Sequence, residues 1–383
     1  MNHILIKNIT KVFTEKFQSK PILIKSPGRI NLIGEHTDYN EGFVFPAAIN
    51  KGIITAIQKS DSDFCTLVSI DFNEEYTFSL KNLKPLKNGG WKNYILGVIA
   101  EIQKKGIKLE NFNIAFGGDI PIGSGLSSSA ALENSIVYGL NELFMLGLTK
   151  KEMIFISQKA EHNYVGVRCG IMDQYASMFG EENTALFLDC RTLEATKINI
   201  DLKEYQPVLI NTNIKHSLSE SAYNDRRSVC EKTASLLHIP TLRDASEEDL
   251  LQIKSKISEE DYQKSLYVVQ ENQRVQQAVK ALKNNDILML GKLLYESHNG
   301  LQNQYKVSCE ELDFLVNKAK ENLNVIGARM MGGGFGGCTI NIISKKATPN
   351  FVKEVSKLYH EKFNNECSVY FVEISEGTHL LKQ

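Results

Sequence analysis

The stretch FNIAFGGDIPIGSGLSSSAALENSIVYGLNELF, residues 112–144, decides how the chain is read. The apolar segment FNIAF (112–116) gives way to Gly and Pro, then to a Gly-Ser loop, then to a long apolar-periodic run. That order is strand, turn, loop and helix. Gly123 and Gly125 let the backbone turn tightly and approach a ligand with no Cβ in the way. Ser127, Ser128 and Ser129 bring hydroxyls and unpaired N–H groups to the helix start, where the positive dipole end favours an anion. A phosphate is the natural guest of the loop formed by Gly123, Ser124, Gly125, Leu126 and the three serines. Read alone, the same residues equally describe a glycine turn with a serine N-cap.

No G-K-[ST] follows the loop, so it is not a Walker A motif, and the chain lacks the H-R-D and D-F-G signatures of protein kinases. A phosphate loop without its own lysine takes charge compensation from elsewhere, and Mg²⁺ is the obvious source. Ser129 is one candidate ligand, and a carboxylate from another segment is the expected second.

Three further segments carry chemistry-bearing residues. In SPGRINLIGEHTDYNEG (26–42), Arg29, Glu35, His36 and Asp38 fall close together. Arg offers fixed planar donors and carboxylates accept paired bonds from vicinal hydroxyls, which is what gripping a sugar requires. A solvated loop with a surface ion pair is the alternative. In AEHNYVGVRCGIMDQYASMFG (160–180), Asp173 sits on an apolar run, so partial burial is expected, and a buried carboxylate must be paired or protonated. A helix-capping Asp is the plainer reading. In ARMMGGGFGGCTINII (328–343), Gly332, Gly333, Gly334, Gly336 and Gly337 exceed what a hairpin needs. That excess points to backbone packed closely on a ligand or another loop, with a mobile surface loop as the alternative.

Working outward, residues 21–25, 43–49, 52–58, 65–70 and 112–116 read as short strands, and 149–165 as a helix opened by a Thr149/Glu152 capping box. Beyond 205 the texture changes: a strand at 209–214 precedes charged amphipathic helices over 245–322, with starts at Ser246, Ser258 and Ser308. Strands at 338–343 and 368–374 flank a last helix. The class is α+β, in two domains that each mix sheet and helices, 1–205 and 206–383, with a ligand cleft between them. A length of 383 residues also favours two cores over one.

Bulk properties narrow the function. Lys plus Arg number 44 and Asp plus Glu 45, so no global basic field invites nucleic acid. Seven cysteines lack any C-x-x-C pair, which argues for reduced thiols in the cytosol. No uninterrupted apolar run is long enough to span a membrane, and the N-terminal residues lack a signal h-region. A cytoplasmic monomer with no membrane association and no obligate protein partner is expected.

Taken together, the segments resemble galactokinases. SPGRINLIGEHTDYNEG resembles the galactokinase signature. PIGSGLSSSAA and MMGGGFGGCTI resemble the phosphate loop and third motif of the superfamily named for galactokinase, homoserine kinase, mevalonate kinase and phosphomevalonate kinase. SAYNDRRSVCE and SHNGLQNQYKVSCEELD add to a likeness that runs from about residue 20 to the end. The resemblance implies ATP-dependent phosphorylation of galactose at its C1 hydroxyl. It implies Asp173 and Arg29 at the reacting centre, and Glu35, His36, Asp38, Gly170 and Tyr223 around the sugar. It also implies ATP on the 123–129 loop and Mg²⁺ on Ser129 and Glu161. Kinases for N-acetylgalactosamine, arabinose or galacturonate, and catalytically silent galactose sensors, are the competing readings. Trp91 stays outside the expected site because a lone tryptophan packs in a core at least as readily as on adenine.

Overall fold

The computed structural model describes residues 3–121, 123–215 and 219–382. The chain begins with α1 (His3–Phe17), β1 (Ile22–Asn31), β2 (Phe43–Val44), β3 (Pro46–Lys59), β4 (Cys65–Ser69) and β5 (Glu74–Phe78). There follow α2 (Trp91–Lys104), β6 (Phe112–Gly118), α3 (Ser128–Phe144), α4 (Lys150–Ala160), α5 (Met172–Phe179) and the hairpin β7 (Thr184–Asp189) and β8 (Glu194–Asn199). Strands β1, β3, β4, β5 and β6 lie in a six-stranded sheet ordered β13-β1-β3-β6-β4-β5, where β13 is His379–Leu380. Both faces of this sheet are covered. Leu23, Ile54, Ala56 and Ala115 cluster with Ile9 and Phe13 of α1. The alternate residues Ile24, Ile53, Ile57 and Ile114 enter the larger core shared with α2, α3 and α4. This period of two is why GIITAIQ reads as almost continuously apolar.

The second half opens with β9 (Tyr205–Lys215) and continues through α6 (Ser219–Leu236), α7 (Glu247–Ile253), α8 (Glu259–Lys283), α9 (Ile287–Asn299) and α10 (Glu310–Glu321). It ends with β10 (Val325–Met330), β11 (Gly336–Ser344), α11 (Thr348–Phe363) and β12 (Ser368–Phe371). Here β10-β11-β9-β12 make a four-stranded sheet, packed on α10 and α11 through Val208, Ile210, Leu315, Phe351 and Tyr359. The result is a two-domain α+β fold. The tail then crosses back, because β13 pairs with β1 in the first sheet.

Local signals set several boundaries. Thr149 and Glu152 form the expected capping box, as do Ser246 and Asp249, while Ser258 accepts the Asp261 N–H. Ser308 departs from expectation: α10 is capped at Cys309, and the Ser308 hydroxyl donates to Asp313 at 2.5 Å instead. The helix expected over 149–165 is α-helical only to Ala160 and winds into a π-turn over Glu161–Val165. Such widened turns reposition a side chain without ending the helix, and here the first residue affected is Glu161. The strand expected at 368–374 stops at Phe371.

Candidate active site

Arg29, near the end of β1, is 4% exposed and holds Asp173 with two parallel bonds. Its Nε donates to Asp173 Oδ1 at 2.7 Å and its Nη2 to Oδ2 at 2.9 Å. The remaining arm, Nη1, donates to the Gly125 carbonyl at 2.6 Å, and the Arg29 amide donates to the Leu126 carbonyl. One guanidinium thus fixes the carboxylate against the 123–129 loop. Burial opposes its charge, and Asp173, Glu35 and Asp38 more than offset that, so Arg29 is held above its usual range. Asp173 lies in the first turn of α5 with 28% of its side chain exposed, so it is braced from within and open on one side.

The loop itself differs from a simple serine cap. Ser127 is left-handed (φ 59°) and makes no cap bond. Its hydroxyl donates to Asp173 Oδ2 at 2.5 Å, across 46 residues of sequence. The glycine-rich third motif is no mobile surface turn: Met331, Gly332, Gly336 and Gly337 are buried. A Cβ on Gly332 would come within 3.2 Å of the Gly125 carbonyl oxygen, and one on Gly125 within 3.3 Å of the Met331 oxygen. The two glycine loops therefore pack back to back, and between them lies a cavity of about 240 Å³ reached by Gly123, Gly125, Tyr223, Gly333 and Gly334.

The 34–43 segment closes the other side. Asp38 accepts the Tyr39 N–H at 2.9 Å, and a Cβ on Gly170 would lie 2.0 Å from its Oδ2. Burial, then the neighbouring Asp173, pushes Asp38 up to about 7. Glu35 is 2% exposed, and its Oε1 accepts from Arg329 Nη2 at 3.1 Å and from the Gly332 amide at 2.9 Å. Arg329, fully buried on β10, also donates to the carbonyls of Leu32, Asn31 and Met330, which ties the second domain to this segment. His36 is 3% exposed and nests among Tyr39, Tyr223 and Tyr305, with ring centroids 5.0–5.8 Å away. Its Nδ1 lies 2.8 Å from the Tyr39 hydroxyl. Burial, helped by Arg226, lowers it to about 3, so the ring is neutral.

Behind Asp173 lies a second acidic group. Gln174 Nε2 donates to Glu161 Oε2 at 3.0 Å and to Glu133 Oε2 at 3.3 Å, while Glu133 Oε1 is buried with no partner among the described residues. Ser129 stands beside the Glu161 carboxylate. Burial and then Asp173 raise Glu161 to about 7, and burial and then Glu161 raise Glu133 well above its usual range. Crowded buried carboxylates, one of them with an oxygen unpartnered among the described residues, fit a hard oxygen-seeking ion. Among the described residues no three His, Cys, Asp or Glu side chains form a closed cage. An open two-ligand arrangement is what Mg²⁺ uses when phosphate oxygens and water complete its shell.

The sequence-predicted residues Arg29, Glu35, His36, Asp38, Gly125, Ser127, Ser129, Glu161, Gly170, Asp173 and Tyr223 therefore converge on one region. Glu133 and Arg329 were not foreseen. Glu133 follows the serine run on a helix whose burial gives a local clue, whereas nothing near Arg329 signals a partner 294 residues away. Trp91 packs edge-on against Phe116 at 5.1 Å and donates to Glu74 at 3.0 Å, as a sheet-edge packing residue would.

The chain is similar to known proteins over nearly its whole length. Residues 11–59 match the galactokinase galactose-binding signature, 93–181 the GHMP kinases N terminal domain and 278–361 the GHMP kinases C terminal domain. A galactokinase of Thermosipho africanus is 43% identical, over 94% of this chain and 99% of the relative. A galactokinase of Clostridium beijerinckii is 41% identical over 98% of both chains. The crystal structure of Lactococcus lactis galactokinase complexed with galactose superposes with a TM-score of 0.94 at 35% identity, covering 98% of this chain and 100% of that one. Methanococcus jannaschii mevalonate kinase, 18% identical with a TM-score of 0.67 over 94% of this chain and 100% of that one, shares the fold. With its signature, both kinase domains and full-length relatives in agreement, the chain belongs to the galactokinase family.

Proposed function

We propose that the chain transfers the γ-phosphoryl group of ATP to the C1 hydroxyl of galactose, giving galactose 1-phosphate and ADP. The observation that carries this reading is the two-pronged grip of Arg29 on Asp173, with the third arm of the same guanidinium on the phosphate-loop carbonyl of Gly125. It sets a carboxylate beside the loop where a terminal phosphate would sit.

In the proposed step, Asp173 accepts the C1 hydroxyl proton while that oxygen bonds to the γ-phosphorus and the bond to the β–γ bridging oxygen breaks, releasing ADP. Arg29 holds Asp173 in place through two bonds and faces the charge that develops on the moving phosphoryl group. Ser127 gives Asp173 Oδ2 a second donor, so Oδ1, which takes one bond from Arg29, is the oxygen with more acceptor capacity left for the sugar proton. Positioning and electrostatics dominate such transfers. Ser129 and Glu161 would hold Mg²⁺, which supplies charge compensation to the β- and γ-phosphates when bound. Asp38, Glu35 and Tyr223 read the sugar. His36, closed in by three tyrosines, shapes that wall, and Gly170 leaves room for Asp38. The domain boundary near 205 fits the start of β9, the strand that lies within the second sheet. Among the described residues no helix is long and apolar enough to cross a membrane.

The test is ADP release with ATP, Mg²⁺ and a panel of galactose, glucose, N-acetylgalactosamine and arabinose. Release with galactose in clear preference supports the proposal. Release with another sugar alone, or binding of galactose without turnover, overturns it.

A further inference from the structure

Helix α8 (Glu259–Lys283) presents Tyr267, Glu271, Asn272 and Val275 along one face, the spacing of neighbours on a helix surface. All four meet the 34–43 segment from the second half of the chain. The Tyr267 hydroxyl donates to the Glu35 carbonyl at 3.0 Å. Glu271 Oε1 accepts the Gly34 amide at 3.0 Å, and Asn272 Oδ1 accepts the Phe43 amide at 2.8 Å. A Cβ on Gly34 would lie 2.7 Å from Val275 Cγ2, and Gly34 has φ +101°, which only glycine adopts readily.

Glu271 is the centre of this contact. It is fully buried, and beyond Gly34 it accepts from Ser297 Oγ at 2.6 Å and from Arg274 Nε at 2.6 Å. A buried carboxylate is costly unless donors surround it, and here three do. Without it, the Gly34 amide would be buried with no acceptor, at the residue just before Glu35. Its partners are Gly34, Ser297 and Arg274, none of which belongs to the phosphate loop or the Arg29–Asp173 pair.

We infer that Glu271 is a positioning residue for sugar recognition: through the Gly34 amide it fixes the direction in which Glu35, His36 and Asp38 leave the backbone. This rests on the reading that the 35–38 segment binds the sugar. The contact acts on one substrate because it grips the sugar segment alone.

The test compares Glu271→Gln, Ser297→Ala and Asp38→Ala in the full-length enzyme, with KM for galactose and ATP, kcat, galactose affinity by calorimetry and a thermal-unfolding control. Losing a charge-assisted bond corresponds to about a tenfold effect. Glu271→Gln is expected to raise the galactose KM and dissociation constant about tenfold, with the ATP KM within about twofold. Ser297→Ala, which leaves the carboxylate in place but frees one of its bonds, is expected to raise the galactose KM alone, by about two- to fivefold. Glu271→Gln folded with an unchanged galactose KM, or with both KM values raised together, overturns the inference. If that variant does not fold, Ser297→Ala decides, and an unchanged galactose KM there overturns it. If Asp38→Ala leaves the galactose KM unchanged, the sugar-segment reading falls. If Asp38→Ala raises it and the other two variants do not, only the role of Glu271 falls.

Discussion

Arg329 and Glu35 form a fully buried ion pair across the two domains, with Nη2 and Oε1 3.1 Å apart and side-chain exposures of 0% and 2%. The pair gives Glu35 two duties. In the proposed function it reads the sugar, and it neutralises an arginine whose other partners among the described residues are carbonyls. Breaking a buried pair from one side leaves an uncompensated charge, at a cost of about 3–5 kcal/mol. Glu35→Ala is therefore expected to lower stability by that order and to raise the galactose KM, whereas Glu35→Gln, which keeps an acceptor for Arg329 and Gly332, loses less stability. Chemical denaturation of both variants checks this; equal stability of Glu35→Ala and wild type would contradict it.

Asp38 is held by backbone amides, that of Tyr39 at 2.9 Å among them, and forms no ion pair among the described residues, so its removal separates recognition from folding more cleanly. Asp38→Ala is expected to raise the galactose KM far more than the ATP KM, with a small change in thermal midpoint. Equal effects on both substrates would remove Asp38 from the sugar wall.

Gly170 offers a steric test of the same wall. A methyl group there would overlap the Asp38 carboxylate, 2.0 Å away, so that carboxylate must move. Gly170→Ala is expected to mimic Asp38→Ala in its KM pattern while leaving the Asp173–Arg29 pair intact. Wild-type galactose affinity in Gly170→Ala would show that Asp38 has another resting place.

Stability should carry a specific pH signature. Asp38 and Glu161 are both raised to about 7, chiefly by burial and then by Asp173. Between their ordinary range near 4 and about 7, the folded protein binds more protons than the unfolded chain, so stability falls as pH rises. The ligand-free enzyme is expected to melt at a lower temperature at pH 7 than at pH 5, and Asp38→Asn should flatten that slope. A midpoint that rises over this interval in the wild type would contradict the assignment of these two groups.

What the sequence disclosed, and what it withheld, follows range. The Thr149/Glu152 box and the strand–loop–helix order at 112–144 depend on neighbours three or four residues apart, and the structure reproduces them. The glycine excess at 332–337 betrayed close packing because a Cβ would meet the backbone of Gly125 at Gly332, of Val307 at Gly334 and of Ser124 at Gly337. Ser127 broke its local expectation because a carboxylate 46 residues away took its hydroxyl. Arg329 and Glu271 could not be read at all: their partners Glu35 and Gly34 lie 294 and 237 residues off, and a lone charge in a helix or strand resembles any solvated one.

The central claim is that Asp173, braced by Arg29, takes the proton of the sugar hydroxyl. Asp173→Asn retains shape and removes the base, so turnover should drop by about 10²–10⁴-fold. The decisive measurement is kcat for Asp173→Asn by ADP release, paired with galactose binding by calorimetry. Near-normal binding with turnover lowered by that factor is the predicted result; near-normal binding with most of the turnover retained would contradict the account.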